Sequence, residues 1–401
     1  MTRPDHQTIL AEAMALADYM TAIRRDIHAH PELGGTETRT QALILRELSA
    51  MGVEAAPCAD TGVLGLLRGG QPGKTIGLRA DIDALPIQED TGLPFASQNP
   101  GVMHACGHDT HTAALLGAAK LLSAHRAELA GNVKFFFQPD EESDGGAQRM
   151  VDAGCLENPH VDAVFGGHNS TGPRAGQYQL KYGQSYAASN PFRITVHGKG
   201  CHGAFPASGI DAVAVACQIV CTLQTLVSRR IPATESAVVT VGSFHAGTAG
   251  NIIAETAQLK GIIRTLGPEM RAKMCALVKE TAEGVAAAMG ARAEVTIIES
   301  YPGVVNTDEM TALVERSMTA LVGKENILFE TVPGMGTEDF GAFFMGHGIP
   351  GCYAHFGFGD GGKECVHPAH GPHFRVNEAG LPYAAALHAA VVFDYLEQTA
   401  F

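Results

Sequence analysis

Thr75-Ile76-Gly77-Leu78-Arg79-Ala80-Asp81-Ile82-Asp83-Ala84-Leu85-Pro86 sets a short apolar run directly against two aspartates. A short apolar run bounded by turn signals reads as a buried strand, so Thr75 to Leu78 is predicted as a strand that empties into a charged loop. In an open α/β sheet, ligands bind just beyond the carboxyl ends of the strands. The same order recurs twice. Val133-Lys134-Phe135-Phe136-Phe137 runs into Gln138-Pro139-Asp140-Glu141-Glu142, and Ala163-Val164-Phe165 runs into Gly166-Gly167-His168-Asn169. Any one of these ends reads by itself as a solvated loop; together they mark a site.

Between the first two lies Met103-His104-Ala105-Cys106-Gly107-His108-Asp109-Thr110-His111, leading into the apolar segment 113–122. Gly107 permits a turn on which the Cys106 thiolate and the His108 imidazole can converge on one ion, which a regular helix would prevent. The following helix, capped by Asp109 or Thr110, is expected to favour the ionised sulfur with its positive end. The alternative for the Cys-x-His pattern taken alone is a packed loop, the lesser of the two readings.

Working outward, Ile9 to His28 and Arg39 to Met51 carry helical apolar spacing. From Asn190 the texture changes: strand (Phe192, Ile194, Val196), helix (211–226), strands (237–244 and 257–265), helix (268–289), strand (293–298). That β-α-β-β-α-β order is the ferredoxin-like pattern. The predicted fold is α/β: a catalytic domain with a central, mostly parallel sheet from residues 1–188 and 300–401, interrupted by an inserted ferredoxin-like lid over 189–299. A further polar cluster, His367-Pro368-Ala369-His370-Gly371-Pro372-His373, precedes a last helix over 378–395.

A formal charge of −14 with no basic stretch excludes a nucleic-acid binder. The nine cysteines are scattered without a Cys-x-x-Cys pair, and residues 1–9 are polar, so reduced thiols in the cytoplasm are expected. No apolar run approaches the roughly 20 residues of a membrane span, and none is expected.

Cys106, His108, Glu141, Glu142, His168 and His370 mix soft and hard donors. Such a set suits Zn²⁺, and also Mn²⁺, Co²⁺ or Ni²⁺, better than Mg²⁺ or Ca²⁺. Their dispersal along the chain points to a catalytic rather than a structural ion. Adjacent glutamates diverge, so one is read as a ligand and the other as a general base, and amide hydrolysis is the economical reaction.

Several motifs stand in a familiar order: Arg25-Asp26-Ile27-His28-Ala29-His30-Pro31-Glu32-Leu33, the Arg79 to Pro86 and Met103 to Asp109 stretches, Gln138-Pro139-Asp140-Glu141-Glu142, Gly198-Lys199-Gly200-Cys201-His202-Gly203-Ala204, Ala246-Gly247-Thr248-Ala249-Gly250-Asn251-Ile252-Ile253 and the His370 context. In these the chain resembles the M20 metallopeptidase family, within it the branch of hippurate hydrolases, N-acyl-amino-acid amidohydrolases and auxin-conjugate hydrolases. The resemblance implies two divalent transition-metal ions, Zn²⁺ or Mn²⁺ first, with Cys106 as bridging thiolate, His108, Glu142, His168 and His370 as further ligands, and Glu141 as base. His370 is chosen because the family pattern puts the ligand two residues before a proline, here Pro372. His202 is implied to stabilise the oxyanion, reaching the partner's site in a homodimer formed through the lid. Asn251 and Arg264 are implied to hold the substrate's carboxylate or carbonyl, and Asp81 to orient the metal shell. The implied substrate is an N-acyl or N-aroyl amino acid.

The chain departs from the family in three places. Asp140 and Ser143 flank the glutamate pair where alanine and glycine are usual; added charge there is expected to raise the base's pKa or alter metal preference. Pro206-Ala207 stands where a proline-histidine pair is usual, and Asn169-Ser170-Thr171-Gly172 follows His168 in place of a more apolar segment. Two other readings stay open: a dipeptidase or aminobenzoyl-glutamate hydrolase of the same family, and a non-catalytic metal- or thiol-dependent binding or redox protein in which Cys106 is a reactive thiol.

Overall fold

The apolar runs that end at candidate ligands lie side by side. In the computed structural model, which describes residues 3–398, the chain divides into two units. The first comprises residues up to 185, 305–332 and from 339 onward. Its eight-stranded sheet runs Glu54–Cys58, Gly62–Arg68, Ala130–Gln138, Gln71–Asp81, Ala163–Arg174, Gly351–Gly359, Tyr178–Leu180, Ile327–Phe329. The four central strands are mutually parallel, and antiparallel pairings flank them. Parallel strands are buried on both faces, which is why Ile76, Leu78, Phe135, Phe137 and Phe165 are fully enclosed. The helices His108–Ala124 and Leu381–Gln398 pack on this centre.

Two local expectations are corrected. The strand from Ala163 does not stop at Phe165; it continues through His168 to Arg174, because Gly351–Gly359 pairs along its length with His355 opposite His168. His168 is therefore carried on a strand and not on the loop beyond it. The helix expected over residues 9–28 is two, His6–Ala15 and Ala17–Ala29, parted where the Leu16 N–H turns back to the Ala13 carbonyl at 3.1 Å. By length and composition alone, Ala212–Arg230 and Glu378–Glu397 are also apolar enough to cross a membrane. The second has 83% of its apolar window buried, as befits the central helix of a core.

The second unit comprises residues 186–304 and 333–338. Its antiparallel sheet runs Ala237–Ala246, Thr256–Thr265, Ala188–His197, Arg292–Ile297, with helices Ala212–Arg230 and Pro268–Ala288 packed on it. Phe192, Ile194 and Val196 are buried while Arg193 is exposed, the alternation of a sheet covered on one face. These residues form a core with Ile219, Leu223, Leu259 and Met274.

Candidate metal centre

The centre is assembled where the parallel strands end. Gly107 takes a left-handed φ of 84° and caps the helix that starts at His108. A Cβ at this position would lie 2.3 Å from Asn169 Nδ2, so the turn and the close approach both require glycine. The expectation of an Asp109 or Thr110 cap is corrected. Asp109 is already inside the first turn, and its Oδ2 is taken by His28 Nδ1 at 2.7 Å and Arg24 Nε at 2.8 Å. The Thr110 hydroxyl donates to the Gly107 carbonyl at 2.6 Å. Gly107→Ala is expected to destabilise the protein by about 1–3 kcal/mol through backbone strain, and to push Asn169 off the Cys106 carbonyl. Thermal melting together with metal content checks this; an unchanged melt would show that the turn relaxes freely.

Cys106, His108, Glu141, Glu142, His168 and His370 all converge. One ligand atom from each of Cys106, His108 and His168 lies within 4.8 Å of the others, and the same holds for Cys106, Glu142 and His370 and for His108, Glu141 and Glu142. Cys106 Sγ is 3.3 Å from His168 Nε2, and Glu142 Oε1 is 3.2 Å from His370 Nε2. His370 adopts a φ of 64°, a conformation costly for a non-glycine residue and one that clusters at functional sites. Glu141 is 7% exposed.

The ring protons can be assigned from the hydrogen bonds. His168 Nδ1 donates to the Asn169 carbonyl at 2.7 Å, and His108 Nδ1 donates to the Asp83 carbonyl at 3.0 Å. Both Nε2 lone pairs are thereby turned into the cluster, and His108 Nε2, though buried, has no hydrogen-bond partner. His111 Nε2 accepts the Asn169 N–H at 2.8 Å, so its Nδ1 carries the proton and donates to Asp81 Oδ1 at 2.5 Å. Asp81 Oδ2 is paired with Arg79 Nη1 at 2.7 Å. Asp81 and His111 are therefore already committed, which suits them to orienting work and not to ligation.

Electrostatics point the same way. Burial opposes a charge on His108, yet neighbouring Asp81 draws its pKa well above the usual value, so Nε2 attracts a positive charge, a proton or the cation that would replace it. Burial likewise opposes ionisation of Asp81, but Arg79 holds its carboxyl well below the usual range. Burial, reinforced by His111, keeps His168 neutral. Buried lone pairs facing one another are unfavourable unless positive charge sits among them, so this donor set fits divalent cations. The sulfur departs from expectation: packing around Cys106 pushes its thiol well up, outweighing the helix end, so a thiolate here needs a positive partner. Asp140, whose charge was expected to act on the base, is paired with Arg149 Nη2 at 2.7 Å.

Behind the loop, His28 bridges Asp109 at 2.7 Å and Glu89 at 3.3 Å. Burial and Arg24 oppose its protonation, but the two carboxylates prevail and its pKa is raised. A histidine with a raised folded-state pKa contributes fully below its unfolded value of about 6.5 and loses that contribution as pH climbs through the folded value. Urea melts should therefore show the parent exceeding His28→Gln most below about pH 6, with the gap closing as pH rises through the raised folded-state value. A gap that does not change with pH would refute the assignment.

In the second unit, His202 and Asn251 line one groove of about 800 Å³. His202 pairs opposite Ile252, and the Gly203 N–H donates to the Asn251 carbonyl at 2.8 Å. Arg264 does not join them. Gln258, the nearest groove residue on their shared strand, and Arg264 stand six residues apart, about 20 Å at the rise of an extended chain. The Arg264 guanidinium is half-buried, with Nη1 lacking a hydrogen-bond partner. Sequence reading passed over Asp83, His111 and Asn169, although each had a local signal: i+2 from Asp81, i+3 from His108 and adjacency to His168. Arg79, two residues before Asp81, and Gln138, at the strand end before Glu141, had such a signal as well; Asp339 had none.

Comparison with known proteins extends over most of the chain. Residues 77–394 match Peptidase family M20/M25/M40. N-acetylcysteine deacetylase of Bacillus subtilis (strain 168) is 40% identical over 377 residues, 94% of this chain and 96% of that one. Thermostable carboxypeptidase 1 of Saccharolobus solfataricus is 37% identical over 385 residues, 95% and 96% of the two chains. The crystal structure of the Bacillus subtilis YXEP protein, a dinuclear metal binding peptidase from the M20 family, aligns with a TM-score of 0.83 and 36% identity, covering 96% of this chain and 99% of that chain. With a cation-attracting cluster built at the ends of the matched strands and relatives aligned nearly end to end, the chain belongs to peptidase family M20/M25/M40.

Proposed function

We propose that the chain, a metal-dependent amidohydrolase, cleaves the amide bond of an N-acyl or N-aroyl amino acid to a carboxylic acid and a free amino acid. One observation carries this reading: imidazole nitrogens, a thiol and two carboxylates face one another, with the outer nitrogens of His108 and His168 already bonded elsewhere. Cys106, His108, Glu142, His168 and His370 would hold two divalent transition ions, Zn²⁺ or Mn²⁺ first. Membership of Cys106 in two donor groups supports a bridging role for it. Bound there, such ions supply acidification of a water and polarisation of an amide carbonyl. Glu141, adjacent to this set and nearly enclosed, takes the proton of the attacking water and delivers it to the leaving nitrogen.

His202 is suited to the oxyanion. Its Nδ1 accepts the Ala204 N–H at 3.1 Å, so the neutral ring carries its proton on Nε2, a donor available to developing negative charge. Asn251 and Arg264 hold the substrate's carboxylate or carbonyl. Because about 20 Å of strand separates Arg264 from the His202 and Asn251 groove, this reading assigns the two groups to different active sites of a homodimer formed through the lid, each chain's His202 serving its partner. The substrate class is supported by what is named in the relatives, an N-acetyl amino acid for one and a carboxypeptidase activity for the other. All nine cysteines are free, which supports placement in the reducing cytoplasm.

The test is elemental analysis of protein purified without chelator, paired with hydrolysis of N-acetyl and N-benzoyl amino acids and of free-amino dipeptides before and after chelation. Transition metal together with chelator-sensitive cleavage of the acylated substrates is expected. Preference for the dipeptides would replace the proposed substrate class, and cleavage indifferent to chelation would overturn the metal assignment.

A further inference from the structure

Asp339 opens the short helical turn Asp339–Phe343 and is 2% exposed. Its carboxylate accepts Gln138 Nε2 at 2.9 and 2.8 Å and the Ala147 N–H at 3.0 Å, and pairs with Arg79 Nη2 at 3.0 Å. Gln138 ends its strand beside Asp81 in register, and its Oε1 accepts Arg79 Nε at 2.8 Å. The amide is thus fixed at both ends, since a flip would set donor against donor. Arg79 and Asp81 project from the same face of their strand, two residues apart, and the completely buried guanidinium reaches Asp81 Oδ2 at 2.7 Å. From Asp81 the bonds continue through His111 and Asn169 to the Cys106 carbonyl, which accepts Asn169 Nδ2 at 2.7 Å.

A buried guanidinium must be compensated, and a single carboxylate would leave it free to pivot. We infer that Asp339 is a positioning residue for the metal centre: by holding Arg79 and Gln138 it keeps Asp81 occupied as the acceptor for His111 and out of the ligand set. His108 Nε2, 3.7 Å from Asp81 Oδ2, is then left for a cation. This inference rests on the proposed ligand assignment. It gives Asp339 a task that no local sequence pattern carries, because its partners lie more than 190 residues away in the chain.

The test is calorimetric titration of Mn²⁺ or Zn²⁺ into chelator-stripped protein, for the parent, Asp339→Asn and Gln138→Met, with melting of each metal-free protein alongside. Outer partners of metal ligands set affinity by about 10–100-fold, so each variant is expected to bind about tenfold more weakly or worse. A merely structural residue would lower the metal-free melt and leave binding by the folded protein unaltered. Affinity within about twofold of the parent overturns the inference. Should Asp339→Asn not fold, Gln138→Met, which spares the ion pair with Arg79, decides by the same criterion. A parent that takes up no ion brings down the ligand assignment and this inference with it. Tight parent binding with unaltered variants removes only the role of Asp339.

Discussion

Replacing Glu141 by glutamine is expected to lower turnover by about 10²–10⁴-fold, the range that a positioned general base supplies, while the protein stays folded and keeps the parent's metal content. The amide has the carboxylate's shape and cannot take up the proton of the attacking water. The neighbouring substitution gives the contrast. Glu142 shares donor groups with Cys106 and His370 as well as with His108, so Glu142→Gln is expected to lose bound metal along with activity. Full turnover in a folded, metal-loaded Glu141→Gln protein would refute the proposed division of labour. Loss of metal from that variant would reverse the two roles.

The second large effect concerns Cys106. Its sulfur belongs to both the His108–His168 and the Glu142–His370 groups, so Cys106→Ala withdraws a donor from two positions at once. Elemental analysis of this variant is expected to find less than half the parent's metal, with turnover lower by more than about 10²-fold, as for loss of interactions that set a metal site. The rival reading, a reactive thiol in a non-catalytic protein, predicts otherwise: Cys106→Ala would retain metal, and alkylation would change function without releasing any. Undiminished metal with intact amide cleavage would remove Cys106 from the centre.

The site was legible where donors stand close in the chain or follow apolar runs. Cys106 and His108 converge as their spacing across Gly107 predicts, and Glu141 and Glu142 follow the strand Ala130–Gln138. Position along a strand was less legible. His168 was expected beyond a strand end, whereas pairing with Gly351–Gly359 keeps it inside one, and no residue near 168 encodes where that partner stops. Likewise Asp109 reads as a helix cap by type, but His28 and Arg24, some 80 residues earlier, claim its carboxylate and leave the cap to Gly107.

Taken by itself, the sequence determined the α/β class, the apolar runs that become parallel strands, the four-stranded order after residue 190 and which candidate donors follow the strand ends. Each of these rests on periodicity, turn chemistry and residue type, which act over a few positions. Only the tertiary structure decided which ring nitrogens face inward, that Asp81 and His111 are spoken for, that Arg264 lies outside the groove lined by His202 and Asn251, and that Asp339 closes the network on Arg79. Those facts depend on pairings between distant segments. The direction of a buried hydrogen bond is settled by whichever donors and acceptors packing brings together.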